Sequence, residues 1–449
     1  MKMKRIIAML LCLAMLLAVT GCGSAKEETP AAPAAPEAAP AAPAEPAAPA
    51  EKIVVNYWFC IGSALEAVVQ EQIADFNASQ DKIEVIGTFQ GYYGDASAKI
   101  QQAIVAGTQP EIVMLERATV PQYFDVGALE DLNPYIERDN FDVSDFNQGL
   151  MNFSVYDGQT VSLPLNRSTP LFFYNKDAFR EAGLDPDSAP KTWDDVLEYS
   201  KKLTKRDANG EITQYGIEFP VDTFVFQSLI PQAGGTMLNE DVTGIGFNNE
   251  SGLAAFEYLM KLRDTEGMKV PPAQDSYTVT KQDFYSGKVA MMIESTGALK
   301  DSLDNSAGKF ELGTGFLPMD DTYAVQTGGG NIAMLAKCSQ EKKDAAWEFI
   351  KFMYSEESGA KFVVGTGYIP VTETIKNSAA VKEAWEKFPQ YRVAYDQLSY
   401  VVEPALHASW GEVNNVIQKY LQAVIFEDKM TPQEALDAMA SESEAILKQ

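Results

Sequence analysis

The tightest constraint on this chain is the alternation of apolar runs between residues 53 and 115. "IVVNYWFCIG" is a short β-rich run ending at Gly62, and Ser63 with Glu66 three residues on has the pattern of a capping box. The helix opened there carries an apolar stripe of Leu65, Val69, Ile73 and Phe76. "KIEVIGTFQG" predicts a second strand. "ASAKIQQAIVAG" predicts a second helix with Ile100, Ala103 and Ile104 inward and Gly107 as its stop. Pro110 then precedes a third strand, "EIVML". A β-α-β-α-β order calls for parallel strands joined by right-handed crossovers. Ligands of such sheets sit beyond the carboxyl ends of the strands, which here are Cys60–Ser63, Gly91–Asp95 and Glu116–Ala118.

The alternation continues. Thr192 and Asp195 give a second capping box, ahead of a helix lined by Val196, Tyr199 and Leu203. "KRDANGEITQYGIEF" has half of a calcium-loop pattern, but Gly210 comes too early for it and Asn209-Gly210 is a hairpin pair, so it reads as a turn. A helix over 251–266 and a strand "VAMMIE" ending on Glu294-Ser295-Thr296-Gly297 follow. Thr431-Pro432-Gln433-Glu434 opens the last helix with an N-cap, a proline and an acid. Ser358-Gly359-Ala360-Lys361 has a serine–lysine acylation spacing without a partner Lys-Thr-Gly, and is coincidental.

The beginning of the chain sets a compartment. Lys2, Lys4 and Arg5 precede an apolar stretch, Ile6 to Leu17, too short to span a bilayer, so residues 1–21 read as an export signal. It ends in Val19-Thr20-Gly21-Cys22, which resembles a bacterial lipobox and implies a lipidated Cys22; a secretory signal with an incidental Cys is the other reading. Residues 22–51 then form the lipidated Cys and its tether, collapsing from Lys26 to Glu51 to Ala, Pro and Glu. Such a tract has little to bury and stays extended, so some twenty residues at about 3 Å each make a tether on the order of 60 Å long. Loss of Lys2, Lys4 and Arg5 takes the formal charge from -27 to -30. That sign excludes nucleic acid and direct adsorption to an anionic membrane. The body from Lys52 has two cysteines, Cys60 and Cys338, read as buried thiols or as a disulfide, and one histidine, His407. No metal-ligand spacing exists, and no cofactor is implied.

A set of segments carries a resemblance over essentially the whole body: the lipobox, "AGTQPEIVML", "LPLNRSTPLFFYNKDAFREAGLDP…PKTWDDV", "GGGNIAML", "AAWEFIKFM", "TGYIPV" and "TPQEALDAM". Together they resemble the extracellular solute-binding proteins of carbohydrate ABC importers, family 1. "NRSTPLFFYNKDAF" and "GTGYIPV" are similar to its glycerol-3-phosphate-binding branch. The resemblance implies a two-lobed, periplasmic-binding-protein-like α/β fold of type II. Each lobe is then a mixed, mostly parallel sheet flanked by helices, with hinge crossovers between them. Residues 52–165 plus about 322–372 would form lobe one, and about 166–321 plus 373–449 lobe two. It also implies a non-enzymatic monomer, anchored by lipid alone on the outer face of the cell membrane. That monomer clamps a small solute and delivers it to permease subunits with their ATPase.

Site residues follow from the same resemblance. Tyr93, with Tyr92 beside it, and Ser168 match ligand contacts. Glu116 matches an acid that accepts hydrogen bonds from glycerol hydroxyls, or else is a structural cap. Gly329 or Gly330 offers backbone N–H groups, and Tyr368 a phenol, toward a phosphate. The branch's phosphate-pairing arginine is missing from "EPALHASWGEV", where His407 and Trp410 stand nearest. Arg167 would then supply the cation, or else form an inter-lobe salt bridge. Without a cation, the solute is a neutral sugar or sugar alcohol stacked on Trp410, Trp58 and the tyrosines. Two other classes stay open. One is a glycosidase using Glu116 and Glu294 as a carboxylate pair; the other is an adhesion or scaffolding lipoprotein. In "LPLNRSTPLFFYN", Leu163–Leu165 is expected to cross between lobes and Phe172–Asn175 to open lobe two, with Asn166 and Thr169 tying down the hinge.

Overall fold

The computed structural model describes residues 51–62, 64–265, 267–272, 275–402 and 407–448. The leader, Cys22, the Ala/Pro tract, Ser63 and Glu266 lie outside them.

The expected opening unit is present: β1 (Ile53–Phe59), α1 (Ala64–Ser79), β2 (Ile83–Phe89), α2 (Tyr93–Ala106) and β3 (Ile112–Glu116). β1 runs parallel to both β2 and β3. Gly107 ends α2 in the left-handed region, φ 71°, with its N–H turned back onto the helix carbonyls. α2 begins earlier than its apolar periodicity shows, and this places Tyr93 in its first turn.

A small hairpin, β4 (Val155–Tyr156) with β5 (Gln159–Thr160), leads into β6 (Leu163–Ser168) and β7 (Pro170–Asn175). Then come β8 (Lys205–Arg206), β9 (Ile212–Glu218), β10 (Val289–Ser295), β11 (Leu312–Gly315) and β12 (Gly328–Met334). They complete two five-stranded sheets, β2-β1-β3-β12-β6 (sheet one) and β11-β7-β10-β9-β8 (sheet two). Among the described residues, three pairings in these sheets are parallel and five antiparallel. The sheets are therefore mixed rather than mostly parallel. The reason is that the chain passes between sheets directly from strand to strand, and β12 returns antiparallel to both its neighbours.

Leu163–Leu165 does not cross. Those residues stay in sheet one, where Leu163 and Pro164 pair with Ile332 and Asn331 of β12. The crossing is Thr169 alone. Its N–H donates to Thr296 Oγ1 (3.2 Å), its carbonyl accepts the Thr296 N–H (3.0 Å), and Gln397 Nε2 donates to Thr169 Oγ1 and to the Pro170 carbonyl, both at 2.8 Å.

Each sheet has its own core. Val55, Tyr57 and Phe59 of β1 pack with Trp347, Phe349 and Ile350 of the helix Gln340–Met353. Phe172 and Ile217 of sheet two pack with the helices Trp410–Ile425 and Pro432–Leu447, through residues such as Val413, Leu421 and Leu436. Each such side chain contributes about 1.5–3 kcal/mol of burial. Ile375 and Val381 join the sheet-one core, so the tract from residue 373 is not wholly on sheet two. A bridge between Phe146 and Thr372 holds that segment to the first side.

The capping boxes at Thr192/Asp195 and Thr431/Glu434 are both formed. Asp207 Oδ1 accepts the Asn209 and Glu211 N–H groups and β8 folds back on β9, so the calcium-like stretch is a turn. Cys60 and Cys338 are free thiols, bonded to the Met114 and Leu335 carbonyls.

Candidate functional site

A cavity of 580 Å³ lies where the carboxyl ends of β3, β6 and β10 meet the start of β12. Five helices add their first turns or a face: α1, α2, and the helices Thr223–Gln232, Ser276–Tyr285 and Trp410–Ile425. Of the nine expected binding residues it gathers Tyr93, Glu116, Ser168, Gly329, Tyr368 and Trp410. Arg167, Gly330 and His407 are not on its wall.

On the sheet-one wall several polar groups are held by protein. Tyr93 Oη accepts from Asn166 Nδ2 at 2.7 Å, and Asn166 Oδ1 accepts the Gly330 N–H at 3.1 Å. The Gly330 donor is thereby used within the protein. Gly329 has φ 86°, and a Cβ there would stand 1.8 Å from the Asn166 carbonyl oxygen, so only glycine fits. Glu116 Oε2 accepts the Ala118 N–H at 2.8 Å, capping the turn Arg117–Thr119 while its carboxyl faces the cavity. Burial raises its pKa, against the opposing pull of Arg117. Tyr368 stacks on Phe362, rings 5.8 Å apart and 5° from parallel, and burial pushes its phenol up to about 12. It is therefore a neutral donor.

Arg167 is the main correction. It is 0 % exposed, and its guanidinium donates to Asn331 Oδ1 (3.2 Å) and Thr327 Oγ1 (2.9 Å). Successive residues of a strand point to opposite faces. Ser168 meets the cavity, so Arg167 turns into the interior beneath it, and its backbone carbonyl accepts the Ile369 N–H. It is neither a cavity cation nor an inter-lobe ion pair. Burial, then the neighbouring Arg117, pulls its pKa down to about 9, still cationic at neutral pH. His407 takes part in a helix start: its Nδ1 accepts the Ser409 N–H (3.1 Å) and its carbonyl the Trp410 N–H (3.0 Å).

Among the described residues, the cations that do reach the cavity are Arg117 and Lys281. Arg117 Nε donates to the Thr327 carbonyl at 2.7 Å, and its guanidinium lies 4.6 Å from the Phe153 ring centroid. It follows Glu116 at a strand end already marked by the carboxyl-end rule, which was the available signal. Lys281, from the helix Ser276–Tyr285, had none. Glu294 lines the same cavity, as do the amides of Gln227, Asn414 and Asn415. Among the described residues, no group of three His, Cys, Asp or Glu side chains is placed to hold a metal. The wall thus offers hydroxyls, phenols, amides and both charge signs: the chemistry of holding a polar solute.

Residues 71–390 match the model of a family described as bacterial extracellular solute-binding protein. The chain belongs to that family. The sn-glycerol-3-phosphate-binding periplasmic protein UgpB of Pectobacterium atrosepticum is a relative, 26 % identical over 421 residues, covering 88 % of this chain and 91 % of its own. UgpB of Escherichia coli K12 is 24 % identical, with 88 % and 92 % covered. An ABC substrate-binding protein of Listeria monocytogenes, solved with cycloalternan, superposes at TM-score 0.78 and 25 % identity, over 88 % of this chain and 99 % of that one. UgpB of Mycobacterium tuberculosis, solved with glycerophosphocholine, has the same fold at TM-score 0.78, 23 % identity, and 89 % and 99 % coverage. This solute-binding protein accordingly has the family's two-lobed α/β architecture, with its cavity at the strand crossings between the sheets.

Proposed function

We propose that this chain is the capture lipoprotein of an ABC importer for a carbohydrate-type solute, with sn-glycerol 3-phosphate or a related polyol phosphate preferred. The observation that carries the reading is the convergence of Tyr93, Glu116, Ser168, Gly329 and Tyr368 on one 580 Å³ cavity at the crossing between sheets. That volume is within the range typical of small-molecule sites. The lobes, each centred on one sheet, close on the solute by bending at crossings such as Thr169, and the closed form is what the permease and its ATPase receive. Cys22 carries the lipid, the Ala/Pro tract is the tether, and the monomer works at the outer face of the membrane.

The preference for a phosphate rests on Arg117, on the sheet-one wall, which replaces Arg167 as the cation available to it. A charge-assisted hydrogen bond contributes about 1.5–3 kcal/mol, or roughly ten- to a hundredfold in affinity. A neutral sugar is the second reading, favoured by Trp410 and by the amides of Gln227, Asn414 and Asn415 on the same wall. Titration calorimetry with sn-glycerol 3-phosphate, glycerol and maltose separates them. Tight binding of the phosphate alone is expected. Binding of maltose without the phosphate would replace the first reading by the second. Sustained hydrolysis of a glycoside would replace capture by catalysis.

A further inference from the structure

The sheet-two wall of the cavity contains an atom that nothing among the described residues satisfies. Glu294, next to last in β10, is 4 % exposed and lines the cavity. Its Oε1 accepts the Ser295 N–H at 2.7 Å, while its buried Oε2 has no hydrogen-bond partner among the described residues. Its cross-strand neighbour is Leu171, which has no side-chain donor. The other charged groups around it are engaged. Asp222 accepts the Phe224 and Val225 N–H groups and the Tyr277 hydroxyl. Asp301 accepts the Tyr285 hydroxyl and Asn305 Nδ2. Lys281 Nζ lies 3.7 Å from Asp301 Oδ2. Tyr368 completes the set from the opposite wall.

An orphaned acceptor of this kind costs more than a bond never made, because its hydration is lost and not replaced. A solute donor would supply the missing partner. A solute anion would meet Glu294 with Asp222 and Asp301 behind it and one ammonium among them, an arrangement that repels it.

We infer that Glu294 is a specificity-determining residue that accepts a hydrogen bond from a hydroxyl or ammonium of the solute, and that it keeps an anionic group away from the sheet-two end of the cavity. The inference rests on the capture role proposed above. A polyol phosphate then binds with its hydroxyls toward β10 and its phosphate away from it. Burial lifts the empty-site pKa of Glu294 to about 8, so taking up a donor there also releases a proton near neutrality.

The test is titration calorimetry of the full chain and its Glu294→Gln and Glu294→Ala variants at pH 7.5, in two buffers of different ionisation enthalpy. The probes are sn-glycerol 3-phosphate and sn-glycero-3-phosphoethanolamine. The wild type is expected to bind at least one probe with proton release. Glu294→Ala should lose about tenfold or more in affinity, and Glu294→Gln, which keeps the shape, should lose the proton release. Wild-type affinity and proton release in both variants would overturn the inference and leave the capture reading standing. Failure of both probes to bind the wild type would overturn the polyol-phosphate reading, and the inference with it.

Discussion

The two walls of the cavity are built on different terms. On the sheet-one wall, Asn166 is bonded to Tyr93 and Gly330, Glu116 caps its own turn and Arg117 grips the Thr327 carbonyl. On the sheet-two wall, Glu294 Oε2 is open and Lys281 has one long ion pair. Sheet one therefore presents a shape fixed before any solute arrives, whereas sheet two presents groups that a solute must complete. A preorganised wall lowers the ordering cost of binding, and an incomplete one makes binding selective.

Substitutions should separate the walls. The largest effect is expected at Gly329, where alanine needs both a left-handed residue and room that the Asn166 carbonyl occupies. Gly329→Ala should lose about 3–5 kcal/mol in urea unfolding; a loss below about 1 kcal/mol would mean the sheet-one wall is soft. Next is Arg167→Ala, expected to cost about 3 kcal/mol through lost packing and the stranding of Asn331 and Thr327. If stability were unchanged while phosphate binding vanished, Arg167 would have to reach the cavity after all.

Glu294→Gln should go the other way. The folded protein holds a proton on Glu294 up to about pH 8, whereas the ordinary value is 4.5. The contribution of Glu294 to wild-type stability is therefore fully present below pH 4.5 and is lost as pH rises through about 8. Glutamine escapes that loss. Its unfolding free energy should exceed the wild type's at pH 8.5, by roughly 2–4 kcal/mol in urea unfolding, and not at pH 4.5; a gap that does not change with pH would close the comparison. The smallest stability effect belongs to Lys281→Ala, within about 0.5 kcal/mol because its pair is long and partly exposed. Its affinity for glycerol 3-phosphate should change by less than about threefold, because the phosphate is held at the Arg117 end of the cavity, away from β10.

Much of this arrangement was legible beforehand, for local reasons. Caps, turns and the first parallel strands depend on residues near one another in the chain, and Thr192, Gly107 and Asn209-Gly210 were read for what they form. The antiparallel return of β12 was not readable, because "GGGNIAML" has the same apolar pattern in either direction. For Arg167 the signal is in the sequence: in a strand, Ser168 and Arg167 cannot both face one cavity, so the two-residue period sends one of them to the interior. Lys281 and the open oxygen of Glu294 depend on where a helix lands beside β10, which no local pattern encodes.

The position of β12 has a consequence for how the molecule comes into being. It lies between β3 and β6 in sheet one, yet follows every strand of sheet two in the chain. A nascent chain must produce the whole of the second sheet while β3 and β6 wait with open edges. Loop closure over that distance is slow, and unpaired edges invite other chains. The first sheet to be started is thus the last to be completed, only when residue 334 is free to insert.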